Sequence, residues 1–168
     1  MSERRDADYV EFVQSRLTWL RRVAYLLCQD WHSADDLVQV AITRLFTHWP
    51  RVQRMDNVDG YVRTILFRAF LSDQRSTWRG RVVLVSSPPD KVASGTDHDT
   101  VLDIRQALTA VPPRQRATLV LRFYCDLDVE QAAAALGCSP GTVKSQTAKG
   151  LAAMRRELGT SAGAGRDR

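Results

Sequence analysis

Hydrophobic residues recur every three or four positions through the first half of the chain, which is typical of amphipathic helices. A first helix is predicted over about residues 9–28. A second is predicted from an N-cap at Ser33 to Pro50, because proline disfavours helix continuation. A third is predicted from a cap at Asn57 or Asp59 to about residue 78. The predicted core positions are Phe12, Leu17, Trp19, Leu20, Ala24, Leu27, Trp31, Leu37, Val40, Ala41, Leu45, Phe46, Trp49, Tyr61, Ile65, Leu66, Ala69 and Phe70.

The second half of the chain predicts a linker followed by shorter helices. Residues 82–100 contain Ser-Ser-Pro-Pro, Ser-Gly and three Asp, a composition typical of an extended linker. Two short helices are predicted over residues 101–111 and 114–123, with two prolines between them and with apolar positions that include Ile104 and Phe123. The small, polar residues 159–168 are predicted to form a disordered tail.

Residues 128–158 predict a helix-turn-helix. Asp128 opens a short helix, and Gly137 ends it because glycine readily adopts the left-handed conformation. Ser139 is the predicted N-cap of the next helix, with Pro140 at its first position. The second helix of such a motif enters the major groove of DNA, although a simple corner between two helices is the alternative. The candidate DNA-binding residues are Ser139, Thr142, Lys144, Ser145, Gln146 and Lys149.

The positive charge of the chain is concentrated in two segments. The formal net charge is +5, and residues 60–81 and 140–168 each contribute +4, while the other two segments are slightly acidic. Two separated basic segments indicate two contacts with one polyanion such as nucleic acid. Two ordinary solvated helix faces are the alternative explanation.

Composition disfavours several other classes of protein. Hydrophobic residues make up 44% of the chain, but no apolar run approaches the roughly 20 residues that span a bilayer, so no membrane insertion is expected. The N-terminus lacks an apolar signal segment, and a location inside the cell is expected. The three cysteines, Cys28, Cys125 and Cys138, are widely spaced, which predicts buried thiols rather than disulfides or a zinc site. Scattered histidines and the lack of a glycine-rich phosphate loop disfavour an enzyme, and no cofactor or metal is expected.

Three stretches of the chain resemble the extracytoplasmic-function (ECF) class of the sigma-70 family of bacterial RNA polymerase sigma factors. Asp35-Asp36-Leu37-Val38-Gln39 resembles the start of region 2.2 of that family. Residues 60–66, which run into the arginine-rich segment, resemble regions 2.3–2.4. Residues 108–158 resemble region 4, including Val111-Pro112-Pro113-Arg114-Gln115-Arg116 and the run from Gly141 to Ser145. The resemblance spans about residues 10–158.

The resemblance implies an all-α fold of two small helical domains, a region 2-like domain over residues 8–81 and a region 4-like domain over residues 101–158, joined by a flexible linker. It implies a factor that binds core RNA polymerase, at the β′ clamp and the β flap, and directs promoter-specific initiation in the cytoplasm, on the nucleoid. It also allows for an anti-sigma factor. The residues implied to bind polymerase are Asp35, Asp36, Leu37 and Gln39. Those implied to bind the −10 element are Asn57, Tyr61, Arg63, Arg68 and Arg75, and the six helix-turn-helix residues named above would bind the −35 element.

The chain departs from the family pattern at three of these positions. Many family members have Trp in place of Tyr61, Asn in place of Arg68, and Arg in place of Gln146. A base pocket near Arg68 would therefore read DNA differently, and Gln146 can pair with adenine without adding charge. Two other functions compete with the sigma factor: a stand-alone helix-turn-helix regulator, and a degenerate sigma paralogue that acts as an interaction module.

Overall fold

The computed structural model describes the backbone of residues 1–79 and 96–164, and the side chains of residues 1–75 and 103–159. Every regular element in these residues is helical, so the prediction of an all-α, two-domain chain is confirmed. Residues 82–95 of the predicted linker lie outside the described residues, whereas residues 96–100 belong to a helix. The helices are α1 (Ser2–Cys28), α2 (Trp31–Val52), α3 (Val58–Arg79), α4 (Thr96–Ala110), α5 (Pro113–Leu119), α6 (Val129–Leu136) and α7 (Pro140–Ala164).

The N-terminal unit, Met1–Asp73, packs α1 against α2 and buries one face of α3. Four of the predicted core residues of this unit instead face solvent: Leu17, Trp31, Val40 and Phe46. Phe46 is 51% exposed, although its ring forms an edge-to-face pair with the Tyr9 ring, at 5.0 Å between ring centres. The fully or nearly fully buried side chains of this unit are Leu20, Val23, Ala24, Leu27, Ala34, Val38, Ala41, Leu45, Val52, Val62, Leu66, Phe67 and Phe70.

Two predicted boundaries of α2 are wrong. The N-cap is Asp30 rather than Ser33, since the Asp30 carboxylate accepts hydrogen bonds from the Ser33 amide at 2.9 Å and its hydroxyl at 2.7 Å. These donors hold the pKa of Asp30 below its ordinary value. Pro50 lies inside the helix, which continues to Val52. Proline has no backbone N–H, so one hydrogen bond of the helix is missing at Pro50. Only Arg51 and Val52 follow it in α2.

The C-terminal unit, Gln74–Arg168, contains in its described part the end of α3 and the helices α4 to α7. A π-helical turn, Val120–Tyr124, follows α5 and leaves Phe123 61% exposed. Ile104 is also exposed, so neither residue has the core position that its spacing predicted. Helix α7 extends to Ala164, past residue 159 where the sequence placed a disordered tail. The three cysteines, all among the described residues, form no disulfide and are half-buried rather than buried as expected.

Two close contacts hold the C-terminal unit together. A Cβ atom on Gly150 of α7 would lie 2.9 Å from Leu119 Cδ1, so glycine allows α5 and α7 to approach closely. Arg116 donates hydrogen bonds to the carbonyls of Leu108, Thr109 and Val111, at the C-terminal end of α4. The second arginine of the Pro-Pro-Arg-Gln-Arg sequence therefore caps the preceding helix.

Candidate nucleic-acid interface

The turn between α6 and α7 is fixed by capping at both helix ends. Asp128 and Gln131 form a reciprocal capping box, with bonds of 2.8 and 3.0 Å, at the start of α6. Gly137 ends α6 with φ 68°, in the left-handed region. Ser139 Oγ accepts a hydrogen bond from the Thr142 amide at 3.1 Å and so caps α7. The local sequence signals for a helix-turn-helix are thus all present as hydrogen bonds.

Helix α7 presents a polar, positively charged face opposite its buried face. Val143 and Gly150 are buried, while Lys144, Ser145 and Lys149 are exposed. Ser139 and Thr142 stand at the N-terminal end of this face, but their hydroxyls are 3.0 Å apart and bond to each other. Gln146 is half-buried at the edge of the face. The structure therefore brings the six predicted residues onto one end of α7, where the N-terminal dipole adds positive potential.

Three of the predicted −10 residues lie along one stripe of α3. Tyr61, Arg68 and Arg75 are seven residues apart, a spacing that returns to nearly the same helix face. The stripe is about 21 Å long from first to last residue. Tyr61 is half-buried, and both arginines of the stripe are exposed. Arg63 lies on another face of the helix and is half-buried, and its Nε atom has no hydrogen-bond partner among the described residues.

Asn57 is exposed, but its side-chain oxygen forms a hydrogen bond with the backbone at the start of α3. Its Oδ1 atom accepts a hydrogen bond from the Gly60 amide at 2.8 Å, which makes Asn57 the cap of α3. This observation decides between the two predicted caps, Asn57 and Asp59. Asp59 instead forms an ion pair with Arg16 of α1, at 2.6 Å between Arg16 Nε and the carboxylate. No local sequence pattern indicates this pair, because its members are 43 residues apart.

The acidic start of α2 exposes three of the four residues predicted to bind polymerase. Asp35, Asp36 and Gln39 face solvent. Leu37, in contrast, is only 7% exposed and belongs to the core of the N-terminal unit, so little of its side chain is available to a partner in this structure. Its position follows from helical geometry, since residue 37 lies on the side of α2 opposite Asp35 and Gln39.

An exposed aromatic and charged cluster lies beside this acidic surface. Arg21 Nε donates to the Asp35 carboxylate at 2.7 Å, and the guanidinium lies 5.1 Å from the Trp31 ring. Trp31 stacks on Tyr25 with 4.3 Å between ring centres and is 45% exposed, although a core position was predicted for it. Of the three tryptophans predicted in the core, Trp49 is buried and Trp19 is half-buried.

Other kinds of site are not found in the described part of the chain. Where side chains are described, in residues 1–75 and 103–159, no group of three or more His, Cys, Asp or Glu could hold a metal ion. None of the helices in that part of the chain combines the length and the apolar character needed to cross a membrane.

Comparison with known proteins gives matches over both units. The family model described as "Sigma-70 region 2" matches residues 12–80, and the one described as "Sigma-70, region 4" matches residues 102–154. The "RNA polymerase sigma-E factor" of Streptomyces coelicolor is 33% identical over 159 residues, which cover 90% of this chain and 86% of that protein. The "ECF RNA polymerase sigma factor SigE" of Mycolicibacterium smegmatis is 30% identical and is covered over 60% of its length, against 88% of this chain.

A solved structure resembles the chain over nearly its full length. It is the sigma factor RpoE from Bartonella quintana, in complex with the anti-sigma factor NepR. The TM-score is 0.69 at 25% sequence identity, over 96% of this chain and 99% of that chain.

Proposed function

The chain belongs to the sigma-70 family, as an ECF-class sigma factor that directs transcription initiation, and from this premise we propose which of its surfaces contact promoter DNA and polymerase. The observation that carries the proposal is the pair of basic faces: one on α3, with Tyr61 and Arg68 in the N-terminal unit, and one on α7 in the C-terminal unit. A single bipartite promoter site offers two separated stretches of phosphates and base edges to such a pair.

The stripe on α3 is proposed to bind the −10 element. Arg68 and Arg75 are exposed cations that would follow the phosphate backbone, and Tyr61 provides a ring on which an unpaired base can stack. Arg63 is assigned a lesser role, because it is half-buried on a different face. Asn57 is proposed to act through the helix cap that it forms rather than by reading a base.

The exposed end of α7 is proposed to bind the −35 element in the major groove. Lys144, Ser145 and Lys149 can reach base edges or phosphates, and Gln146 can pair with adenine from the edge of the face. Ser139 and Thr142 are proposed to contact phosphate through the helix N-terminus, since their side chains already bond to each other.

The exposed Asp35, Asp36 and Gln39 of α2 are proposed to contact the polymerase β′ clamp, and the C-terminal unit is proposed to contact the β flap. Polymerase supplies the chemistry of RNA synthesis in this proposal, and the chain contributes no catalytic group, metal or cofactor. An anti-sigma factor is proposed as a further partner, as in the related Bartonella complex. The site of action would be the cytoplasm, on DNA of the nucleoid.

The proposal is tested by transcription in vitro with core RNA polymerase, the purified chain and pooled genomic promoter fragments, followed by mapping of RNA 5′ ends. Start sites that share paired −10 and −35 sequences are expected. Lys144→Ala should reduce discrimination at one −35 position by about 1–3 kcal/mol if Lys144 reads a base. Arg114→Ala removes an exposed charge outside α7 and is the matched control.

Three results would contradict parts of this proposal. Uniform weakening at all promoters would reassign Lys144 to phosphate contact. Polymerase binding without any start site would indicate a sequestering module. Tight operator binding in the absence of polymerase would indicate a stand-alone regulator.

A further inference from the structure

A bidentate ion pair joins α1 to the first turn of α3. Arg16 Nε donates to Asp59 Oδ1 at 2.6 Å, and Arg16 Nη2 donates to Asp59 Oδ2 at 3.0 Å. The Arg16 guanidinium also lies 5.7 Å from the centre of the Phe12 ring, one turn earlier in α1. Two parallel hydrogen bonds restrain direction as well as distance, because both planar groups must align. The start of α3 is therefore held in a defined orientation to α1.

The same turn of α3 is fixed a second time by its cap. Asn57 Oδ1 accepts the Gly60 amide, and the Asn57 side chain folds over Gly60 so closely that a Cβ on residue 60 would lie 2.8 Å from Asn57 Cγ. A larger residue at position 60 would therefore have to displace the Asn57 side chain from its capping position. Asn57 and Asp59 together fix the point at which the chain enters α3.

The segment between α2 and α3, residues 53–57, is anchored at its other end as well. The Gln53 amide donates to the Trp49 carbonyl at 3.0 Å, and the Met55 amide donates to the Val52 carbonyl at 2.9 Å. Val52 is fully buried. We call residues 53–57 the connecting loop. Backbone hydrogen bonds to α2 hold its first residues, and the Asn57 cap holds its last residue at the start of α3.

We infer that Arg16 and Asp59 are positioning residues for promoter opening: they set where the start of α3, with Tyr61, meets the −10 element and do not themselves bind DNA. This inference rests on the proposed function of α3. Capture of unpaired bases requires the receiving side chains to be held in place beforehand. The side chains of Arg16 and Asp59 are 44% and 46% exposed, and ion pairs of such exposure contribute little to folding stability. Loss of the pair should therefore alter the orientation of α3 without unfolding the unit.

The test compares two substitutions that remove opposite charges from the same pair, Arg16→Gln and Asp59→Asn. Holoenzyme is assembled with each variant on the strongest promoter found by the start-site mapping, and opening is measured by permanganate reactivity of unpaired thymines. Both variants should open duplex DNA about 2- to 5-fold more slowly, the range that corresponds to an ion pair of this exposure. The double variant should be no worse than either single one, because all three lose the same interaction. A template with a mismatched, already open −10 segment should bring the variants close to the unmodified chain.

Two further variants serve as controls. Asp59→Glu keeps a carboxylate within reach of Arg16 and should recover part of the opening rate. Arg22→Gln removes an exposed charge from α1 away from α3 and should open DNA like the unmodified chain. Thermal unfolding of every variant is followed by circular dichroism, and unchanged melting separates positioning from folding.

Opposite effects of the two single substitutions would overturn the inference. If Arg16 contacted a phosphate directly, Arg16→Gln would weaken DNA binding, whereas Asp59→Asn would strengthen it by removing a negative charge. Opening rates equal to that of the unmodified chain would overturn it too. If the unmodified chain opens no promoter at all, the proposed function fails and this inference falls with it.

Discussion

Arg116 ties the C-terminal end of α4 to α5. Its Nε atom donates to the Leu108 carbonyl at 2.9 Å, and Nη2 donates to the Val111 and Thr109 carbonyls at 3.0 and 3.3 Å. The last carbonyls of a helix have no partners within that helix, so they are the groups that gain most from an outside donor. The positive guanidinium also complements the negative end of the helix dipole. Arg116→Ala removes all of these interactions at once.

The expected loss of stability is about 1.5–3 kcal/mol. One hydrogen bond to a charged group contributes about that amount. Arg116 donates three such hydrogen bonds, but its side chain is half-exposed. In the variant, water can hydrogen-bond to some of the exposed carbonyls, so the three contributions do not add in full. For a unit of this size, a loss of 1 kcal/mol lowers the melting temperature by about 4–8 °C. The C-terminal unit should therefore melt about 6–24 °C lower in the variant.

Hydrogen exchange of the intact chain, read by mass spectrometry, can measure this loss locally. Peptides from α4 to α7 should exchange faster in Arg116→Ala, while peptides from α1 and α2 serve as an internal reference. Arg114→Ala changes an exposed arginine of the same helix and should leave exchange unchanged. Arg116→Lys should lose part of the protection, because one ammonium group cannot match the planar fork of donors. Exchange in Arg116→Ala equal to that in Arg114→Ala would refute the capping role.

Three further substitutions test other parts of the structure. Leu37→Ala should destabilise the N-terminal unit by about 2–4 kcal/mol in urea unfolding, since Leu37 is buried, whereas Asp36→Asn at the exposed neighbouring position should change stability by less than about 0.5 kcal/mol. Asp30→Ala should cost about 0.5–2 kcal/mol at neutral pH. Because the hydrogen bonds at the helix start lower the pKa of Asp30, this difference should persist above the unfolded-state pKa and disappear as the pH falls through the folded-state pKa, which thermal melts across acid pH would show. Gly137→Ala should cost about 1–2 kcal/mol because φ is 68°, while Gly159→Ala, in open space in α7, should be neutral or stabilising; equal effects at the two glycines would contradict the backbone argument.

Local signals predicted the C-terminal unit well. The caps at Asp128 and Ser139 and the helix end at Gly137 depend only on residues within one turn, and all three are present as hydrogen bonds or backbone angles. The start of α2 is a counterexample, because Asp30 and Ser33 are both good capping residues and only the backbone geometry selects Asp30. Pro50 was misjudged because a proline removes one backbone hydrogen bond but does not by itself end a helix, and α2 continues to Val52.

The sites were predicted less completely than the fold, because exposure and tertiary pairing decide them. Helical spacing placed the charged residues of α7 on one face, and that prediction needs no tertiary information. Helical spacing also placed Leu37 in the core, where the structure has it, whereas the motif resemblance named it as a polymerase contact, since a motif names consecutive residues while a helix turns them to different sides. The pairing of Arg16 with Asp59 depends on how α1 meets α3, which no local pattern encodes.

Because Gly150 lies against Leu119, the residue at one of these positions limits which residues evolution can place at the other. A larger residue at position 150 would meet the Leu119 side chain, which is itself only 3% exposed and has little room to move. A change at position 119 to a smaller residue would first have to open space, at the cost of a cavity. The order of substitutions therefore matters, and homologues with alanine or serine at the position of Gly150 should carry a smaller side chain at that of Leu119. Such covariation between the two positions would follow from the close approach of α5 and α7.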